Sequence, residues 1–310
     1  KGLTMLIGAQ GEVLHSSYGN QSNFRYAFFM VIAMLAFAIE DAIIKQLAFK
    51  LPISQVLIAV GLSGLLVLYG LSILKEEVII QRRFIDVKFL LRMSCELISS
   101  IFFVVTMVHV SLTVSSALLQ IVPILMTIGG FFLFKETVNL RQWALIFVGL
   151  FGSLLVIQPG TDMFNPLSLF ALAGAVFLAL RDLLTFSMSD NYPPVAIAFW
   201  GFASLALGGV VSVPFFGPFC ELAAVDILFL AASSFFGPAA YLALIYATRG
   251  GEIGVVAPFR YFRLPIAVLI GILFFDESPN NFTFGGCALI VVSGFLILVI
   301  SNKQKNKSTR

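Results

Sequence analysis

Residues 253–275 read IGVVAPFRYFRLPIAVLIGILFF, an apolar run whose only charges are Arg260 and Arg263. Its length suits a helix that crosses a bilayer, about 20 residues. Two guanidiniums inside such a span are costly unless they meet a counter-ion, a ligand or a water-filled cavity. Spaced three residues apart, they share one helix face, so something anionic or polar is expected beside that face. Pro258 and Pro265 bracket the pair. Pro265 removes an amide hydrogen and crowds the Tyr261 carbonyl, which predicts a kink there.

The surrounding composition agrees with a membrane reading. Of 310 residues, 59% are apolar and 11% charged, and the mean hydropathy of +1.01 lies outside the soluble range. Cys95, Cys220 and Cys287 are scattered without metal-site or disulfide spacing, and the two histidines, His15 and His109, form no cluster. No cofactor is expected. The chain contains no GxxxxGK[ST] run, so it does not hydrolyse ATP by a P-loop of its own.

Ten apolar spans can be read, at 26–48, 53–74, 88–108, 112–134, 142–158, 166–188, 195–215, 227–248, 253–275 and 282–300. The expected fold is all-α and polytopic. The first 24 residues are polar, lack the order of a signal peptide and are expected to be a weakly ordered tail. Residues 302–310 form a basic tail. With the N-terminus inside, thirteen Lys/Arg fall on cytoplasmic segments, against Lys45 and Lys50 outside. By the positive-inside rule both termini face the cytoplasm.

The chain also repeats itself. A shift of 141 residues aligns Asp41 with Asp182, Pro52 with Pro193 and Glu136 with Glu277, each pair at matching places in its span. Five spans per half is an odd number, so the second half enters the membrane the other way up. The halves are expected at 25–160 and 161–301. Inverted repeats belong to alternating-access transporters, with the site between the halves near the midplane.

The chain resembles the drug/metabolite transporter superfamily, EamA type. The residues that carry the likeness are Glu136 with Gly149-Leu150-Phe151-Gly152, and Phe275-Asp276-Glu277-Ser278-Pro279 with Gly285-Gly286 and Gly294. The Asp41–Lys45 and Pro258–Pro265 runs add to it. The resemblance spans residues 25–300 and implies two inverted five-helix repeats and a secondary transporter in a bacterial cytoplasmic membrane. Members of the superfamily carry amino acids, riboflavin, S-adenosylmethionine, nucleotide sugars or organic acids.

Candidate substrate contacts are Arg260 and Arg263, as planar forks for carboxylate or phosphate, with Tyr261, Gln120, Trp200 and Tyr241. Flat rings with one polar tip suit a ring-bearing or amphipathic cargo. The alternative for the arginines is an internal ion pair, for example with Asp182. Under the repeat shift they fall on Leu119 and Val122, so the charge belongs to one half only. Candidate gating or coupling residues are Glu40, Asp41 and Lys45 in span one, Arg181 and Asp182 in span six, and Glu96 in span three. Asp41 and Lys45 are spaced for an i,i+4 pair, as are Arg92 and Glu96. The latter reads as a self-neutralising pair near the interface, with Arg92 free to snorkel. A carboxylate here could also couple transport to protons. Gly61/Gly64, Gly149/Gly152, Gly208/Gly209 and Gly285/Gly286 read as close-packing sites, and Glu136 and Glu277 as structural.

The leading expectation is a transporter, not an enzyme, of a small anionic or zwitterionic metabolite. Its partners are that solute and the lipid bilayer; a homodimer is left open and no nucleic acid is expected. A membrane-embedded enzyme acting on lipid or peptide is the first alternative. Its aspartyl-protease form requires Asp41 and Asp182 side by side, whereas the repeat puts them at opposite depths. A sensor or scaffold that does not transport is the second.

Overall fold

The computed structural model describes residues 23–81, 86–109, 119–136, 138–157, 168–188, 192–275 and 280–308. The N-terminal tail, Glu277 and the loop arginines Arg82 and Arg83 lie outside them. The described helices are α1 (Asn23–Ala48), α2 (Ile53–Leu74), α3 (Val87–His109), α4 (Val122–Phe134), α5 (Leu140–Ile157), α6 (Ser168–Ser187), α7 (Pro194–Phe216), α8 (Ala224–Gly250), α9 (Ile253–Val256), α10 (Arg263–Phe275) and α11 (Asn281–Ser308). A 3-10 segment, Ala257–Phe262, joins α9 to α10. These three pieces form the ninth span, so ten helical spans result. Among the described helices, six are long and apolar enough to cross a membrane. Shorter α4 and α5 and the charge-bearing α3 and α6 complete the set.

Large apolar side chains, among them Phe132, Phe215, Phe235 and Phe295, lie exposed around the bundle. A soluble monomer does not carry that much exposed apolar surface; lipid is its solvent.

The helices pair as a two-fold inverted repeat requires. α1 packs on α8 and α6 on α3; α2 packs on α7, and α5 on α11. Advancing each member by five spans converts the first pairing into the second and returns the other two to themselves. The repeated prolines show the same symmetry locally. Pro52 caps α2 with φ −55° and ψ 138°, and Pro193 caps α7 with φ −56° and ψ 139°. Each carbonyl accepts the N–H four residues on, from Val56 and Ile197, at 3.1 Å. Proline suits a helix entry because its missing N–H has no partner there anyway.

The ninth span breaks earlier than its prolines suggest. Rather than a kink at Pro265, the helix tightens into 3-10 over Ala257–Phe262 and restarts at Arg263. Pro265 then sits in the first turn of α10, where an amide hydrogen is not needed. Pro258 does the same at the entry of the 3-10 segment.

The start of this broken span is pinned by Glu136. α4 ends at Lys135 in the left-handed conformation (φ 55°), with the Glu136 N–H closing onto the Gly130 carbonyl. That reversal is a helix-terminating motif usually left to glycine. It aims the Glu136 carboxyl at α9, where Oε1 accepts from Ile253 N–H at 2.9 Å and Oε2 from Gly254 N–H at 3.0 Å.

Close packing of α2 on α7 depends on Gly61, where an added Cβ would stand 2.7 Å from the Ala206 backbone nitrogen. Gly70, nine residues on, has open space. Gly61→Ala is therefore expected to destabilise the detergent-purified protein by about 1–3 kcal/mol, with Gly70→Ala near neutral, read by thermal unfolding. Burial pushes the Glu136 carboxyl up to about 7, against the two backbone N–H donors that favour its charge. A raised folded-state value adds stability below the ordinary 4.5 and loses it as pH climbs through about 7. Wild-type protein should thus lose thermal stability between about pH 5 and pH 8 relative to Glu136→Gln. Parallel profiles would mean that Glu136 is already ionised on the α9 N-terminus.

Candidate functional site

Where α3 and α6 pack together, consecutive turns bring charge into the middle of the bundle. Arg92 and Glu96 lie one turn apart on α3, and Arg181, Asp182 and Thr185 occupy the facing turns of α6. From the opposite side α8 contributes Tyr241. Arg92 is 1% exposed, Arg181 4% and Asp182 2%. An ionised group so far from water persists only when its hydrogen-bonding capacity is met.

The Tyr241 hydroxyl is the hub. It accepts from Arg92 Nη2 at 2.6 Å and from Arg181 Nη1 at 3.4 Å, and donates to Glu96 Oε2 in a short bond. One donor and two acceptors exhaust what a phenol offers. Glu96 also takes Arg181 Nη1 at 2.8 Å and Arg92 Nη2 at 3.4 Å. Arg92 Nε reaches Thr185 Oγ1 at 3.1 Å. Both guanidinium carbons lie over the Tyr241 ring, Arg181 at 5.4 Å and Arg92 at 5.8 Å from its centre, a contact that strengthens when desolvated. Gly201 on α7 makes room, since a Cβ there would fall 2.6 Å from the hydroxyl oxygen.

Asp182 extends the chain of charges to the broken span. Its Oδ1 accepts from Arg181 Nε at 2.9 Å and Nη2 at 2.7 Å. Its Oδ2 takes a short bond from Arg260 Nη2. Within this cluster three guanidiniums meet two carboxylates. Arg260 Nε is buried and has no hydrogen-bond partner among the described residues.

The repeat-related carboxylate, Asp41, makes the corresponding pair with the other arginine. Arg263 donates from Nε at 2.7 Å and from Nη2 at 2.5 Å, a two-pronged contact, with its guanidinium carbon 5.3 Å from the Phe37 ring centre. Here the side chains are 50% and 35% exposed for Asp41 and Arg263, against 3% and 10% for Asp182 and Arg260. The arginines rise from one stretch of chain but diverge, Arg260 toward α6 and Arg263 toward α1. Each aspartate holds its own guanidinium.

Of the residues singled out from sequence, Arg260, Asp182, Arg181, Glu96 and Tyr241 meet in one cluster, and Arg263 with Asp41 forms the second. Tyr261 points elsewhere. It is 1% exposed in an apolar cluster with Leu264 and Ile290, its ring against Gly149, and its hydroxyl has no partner among the described residues. Trp200 donates to the Ile79 carbonyl at 2.9 Å and stacks edge-on with Phe89 and Phe199, toward the loop after α2. Gln120 is buried in the turn before α4, and Lys45 lies in the last turn of α1. Glu40 is buried between α1 and α8, against Gly237.

Arg92 is the correction. It does not snorkel: it turns inward to Tyr241 and Thr185 as well as to Glu96. Thr185 follows Arg181 by one turn, a signal present in the sequence, but threonine is too common in membrane helices for it to stand out.

Comparison with known proteins places this arrangement. Residues 166–299 match the EamA-like transporter family. A riboflavin transporter of Rhizobium johnstonii is 26% identical over 290 residues, covering 91% of this chain and 93% of that protein. An S-adenosylmethionine uptake transporter of Rickettsia bellii is 25% identical over 186 residues, covering 59% of this chain and 62% of that one. A crystal structure superposes with a TM-score of 0.76 at 16% identity, over 92% of this chain and 99% of its own, and supports the fold. Residues 166–299 thus carry an EamA-like transporter domain, and the chain is similar over nine-tenths of its length to a transporter of a small metabolite.

Proposed function

We propose that this protein is a secondary transporter of a small organic metabolite bearing a carboxylate or phosphate, anionic or zwitterionic overall. It works by alternating access in a bacterial cytoplasmic membrane, both termini inside, with 25–160 and 161–301 as the rocking halves. The observation that carries the reading is the buried cluster at the broken ninth span. Among the described residues it holds one more guanidinium than carboxylate, and Arg260 Nε faces no acceptor. A surplus cation with a free donor prong, on a helix that is already discontinuous, is what an anionic group of a solute would complete. Of the solutes named for the relatives, S-adenosylmethionine carries the carboxylate this reading requires, whereas riboflavin shares only the ring that suits a site beside Tyr241.

The two ion pairs act as gates in this reading. Asp182–Arg260 lies in the cytoplasmic half and is sealed, whereas Asp41–Arg263 lies in the outer half and is half exposed. Exposed charge at that depth requires water. The conformation is therefore assigned as closed inward and open outward. Separate arginine partners for Asp41 and Asp182 favour this over an aspartyl protease, whose carboxylates must share a proton.

Thermal stabilisation across a metabolite panel tests the cargo class. A carboxylate- or phosphate-bearing ligand at a hundredfold excess over its Kd should add about 2.7 kcal/mol, and Arg260→Ala should abolish that gain. Hits that survive in Arg260→Ala would sink the anionic reading. The gate assignment is tested by stability. Asp182→Asn strands two buried guanidiniums and should cost about 3–5 kcal/mol, whereas Asp41→Asn breaks a half-exposed pair and should cost about 1 kcal/mol or less. Equal losses would remove the asymmetry between the gates.

A further inference from the structure

Glu40 differs from the other acidic side chains inside the bundle. Asp41, Asp182 and Glu96 each hold at least one arginine. Glu40 is 6% exposed, and among the described residues it makes no ion pair. The nearest guanidinium on its own side of the bundle, Arg263, already gives both prongs to Asp41. A bare carboxylate in that position is strongly disfavoured, whereas the neutral acid is not.

The pocket around it is shaped for a carboxyl group. Gly237 on α8 faces it, and a Cβ there would collide with Glu40 Oε1. Phe202 of α7 closes the same spot, its ring tip 3.1 Å from that Cβ position. Ser233, one turn before Gly237, is fully buried and turns its hydroxyl toward the Glu40 carboxyl. Pro238 interrupts the hydrogen-bond ladder of α8 at this level. The charged groups acting on Glu40 are Asp41 beside it on α1 and Arg263 from α10; the Phe202 ring of α7 lies against the same spot. Ser233, Gly237 and Tyr241 follow each other at four-residue intervals, so they share one stripe of α8. Glu40 therefore sits one turn along α8 from the hub that closes the inner gate.

We propose that Glu40 is a proton-binding site that couples solute movement to a proton gradient. The coupling role rests on the transporter reading above; proton binding does not. The carboxylate takes a proton from the water that reaches Asp41 beside it, becomes neutral, and is sealed between α1 and α8. It returns the proton when α8 moves and the inner gate opens. Nothing besides the proton is consumed or released.

The proton itself is the first probe. Infrared difference spectra of the reconstituted protein, recorded across a pH titration, should contain a protonated-carboxyl band that disappears in Glu40→Gln and persists in Asp41→Asn. Gly237→Ala, which thrusts a methyl group at the carboxyl, should shift that band. A titration unchanged in Glu40→Gln overturns the site. Flux in proteoliposomes, with S-adenosylmethionine and riboflavin as probes, then tests coupling. Glu40→Gln should keep exchange of the transported probe but lose its accumulation under an imposed pH gradient, down to the level of protein-free liposomes. Equal accumulation in wild type and Glu40→Gln overturns the coupling role. Absence of S-adenosylmethionine exchange in wild type counts against the cargo class, whether or not riboflavin exchanges, and the infrared titration then decides the proton site.

Discussion

One phenolic hydroxyl holds the charged centre of this bundle together. Tyr241 stands between two arginines and a glutamate that would otherwise be unaffordable in a bilayer. It spreads their charge over α3, α6 and α8. Such a knot is not an efficient way to stabilise a fold, since apolar side chains of similar volume often do as well. Its value is discreteness. A fully satisfied polar network admits one arrangement, and disturbing any member unpairs several. An assembly that must sit in one of two well-defined states, rather than deform continuously, needs interfaces of that kind.

The backbone is symmetric while the chemistry is not. Proline caps and helix pairings repeat between the halves, and so do the two aspartates. The arginines do not, because both rise from the ninth span and reach in opposite directions. The result is a symmetric scaffold read by an asymmetric probe: one short piece of chain touches both symmetry-related carboxylates. Changes at one end of the ninth span are thereby felt at the other without any long pathway.

Much of the architecture was legible in the residues because membrane folds write their period plainly. Apolar runs of spanning length give ten helices, and Asp41/Asp182 and Pro52/Pro193 betray the repeat. That charge lies inside spans three, six and nine was equally visible. Its connectivity was not. The i,i+4 spacing of Arg92 and Glu96 suggests a local pair, yet their main partners, Tyr241 and Arg181, are on other helices, 149 and 85 residues away. Tyr261 stands between the arginines in sequence but lies against Gly149, because a residue one step along a 3-10 segment points about 120° away. The break before Pro265 was displaced for a related reason. Proline shows where a helix cannot continue, and its neighbours decide where the tightening falls.

The six-residue 3-10 segment at Ala257–Phe262 also stores length. A 3-10 turn rises about 2.0 Å per residue against 1.5 Å for an α-helix, and turns about 120° instead of 100°. Relaxing all six residues to α would shorten the ninth span by about 3 Å and rotate one end against the other by about 120°. Arg260 lies inside that segment and Arg263 just beyond it. The same local transition would draw the two guanidiniums along the membrane normal and turn them about it, a screw-like stroke built from backbone geometry alone.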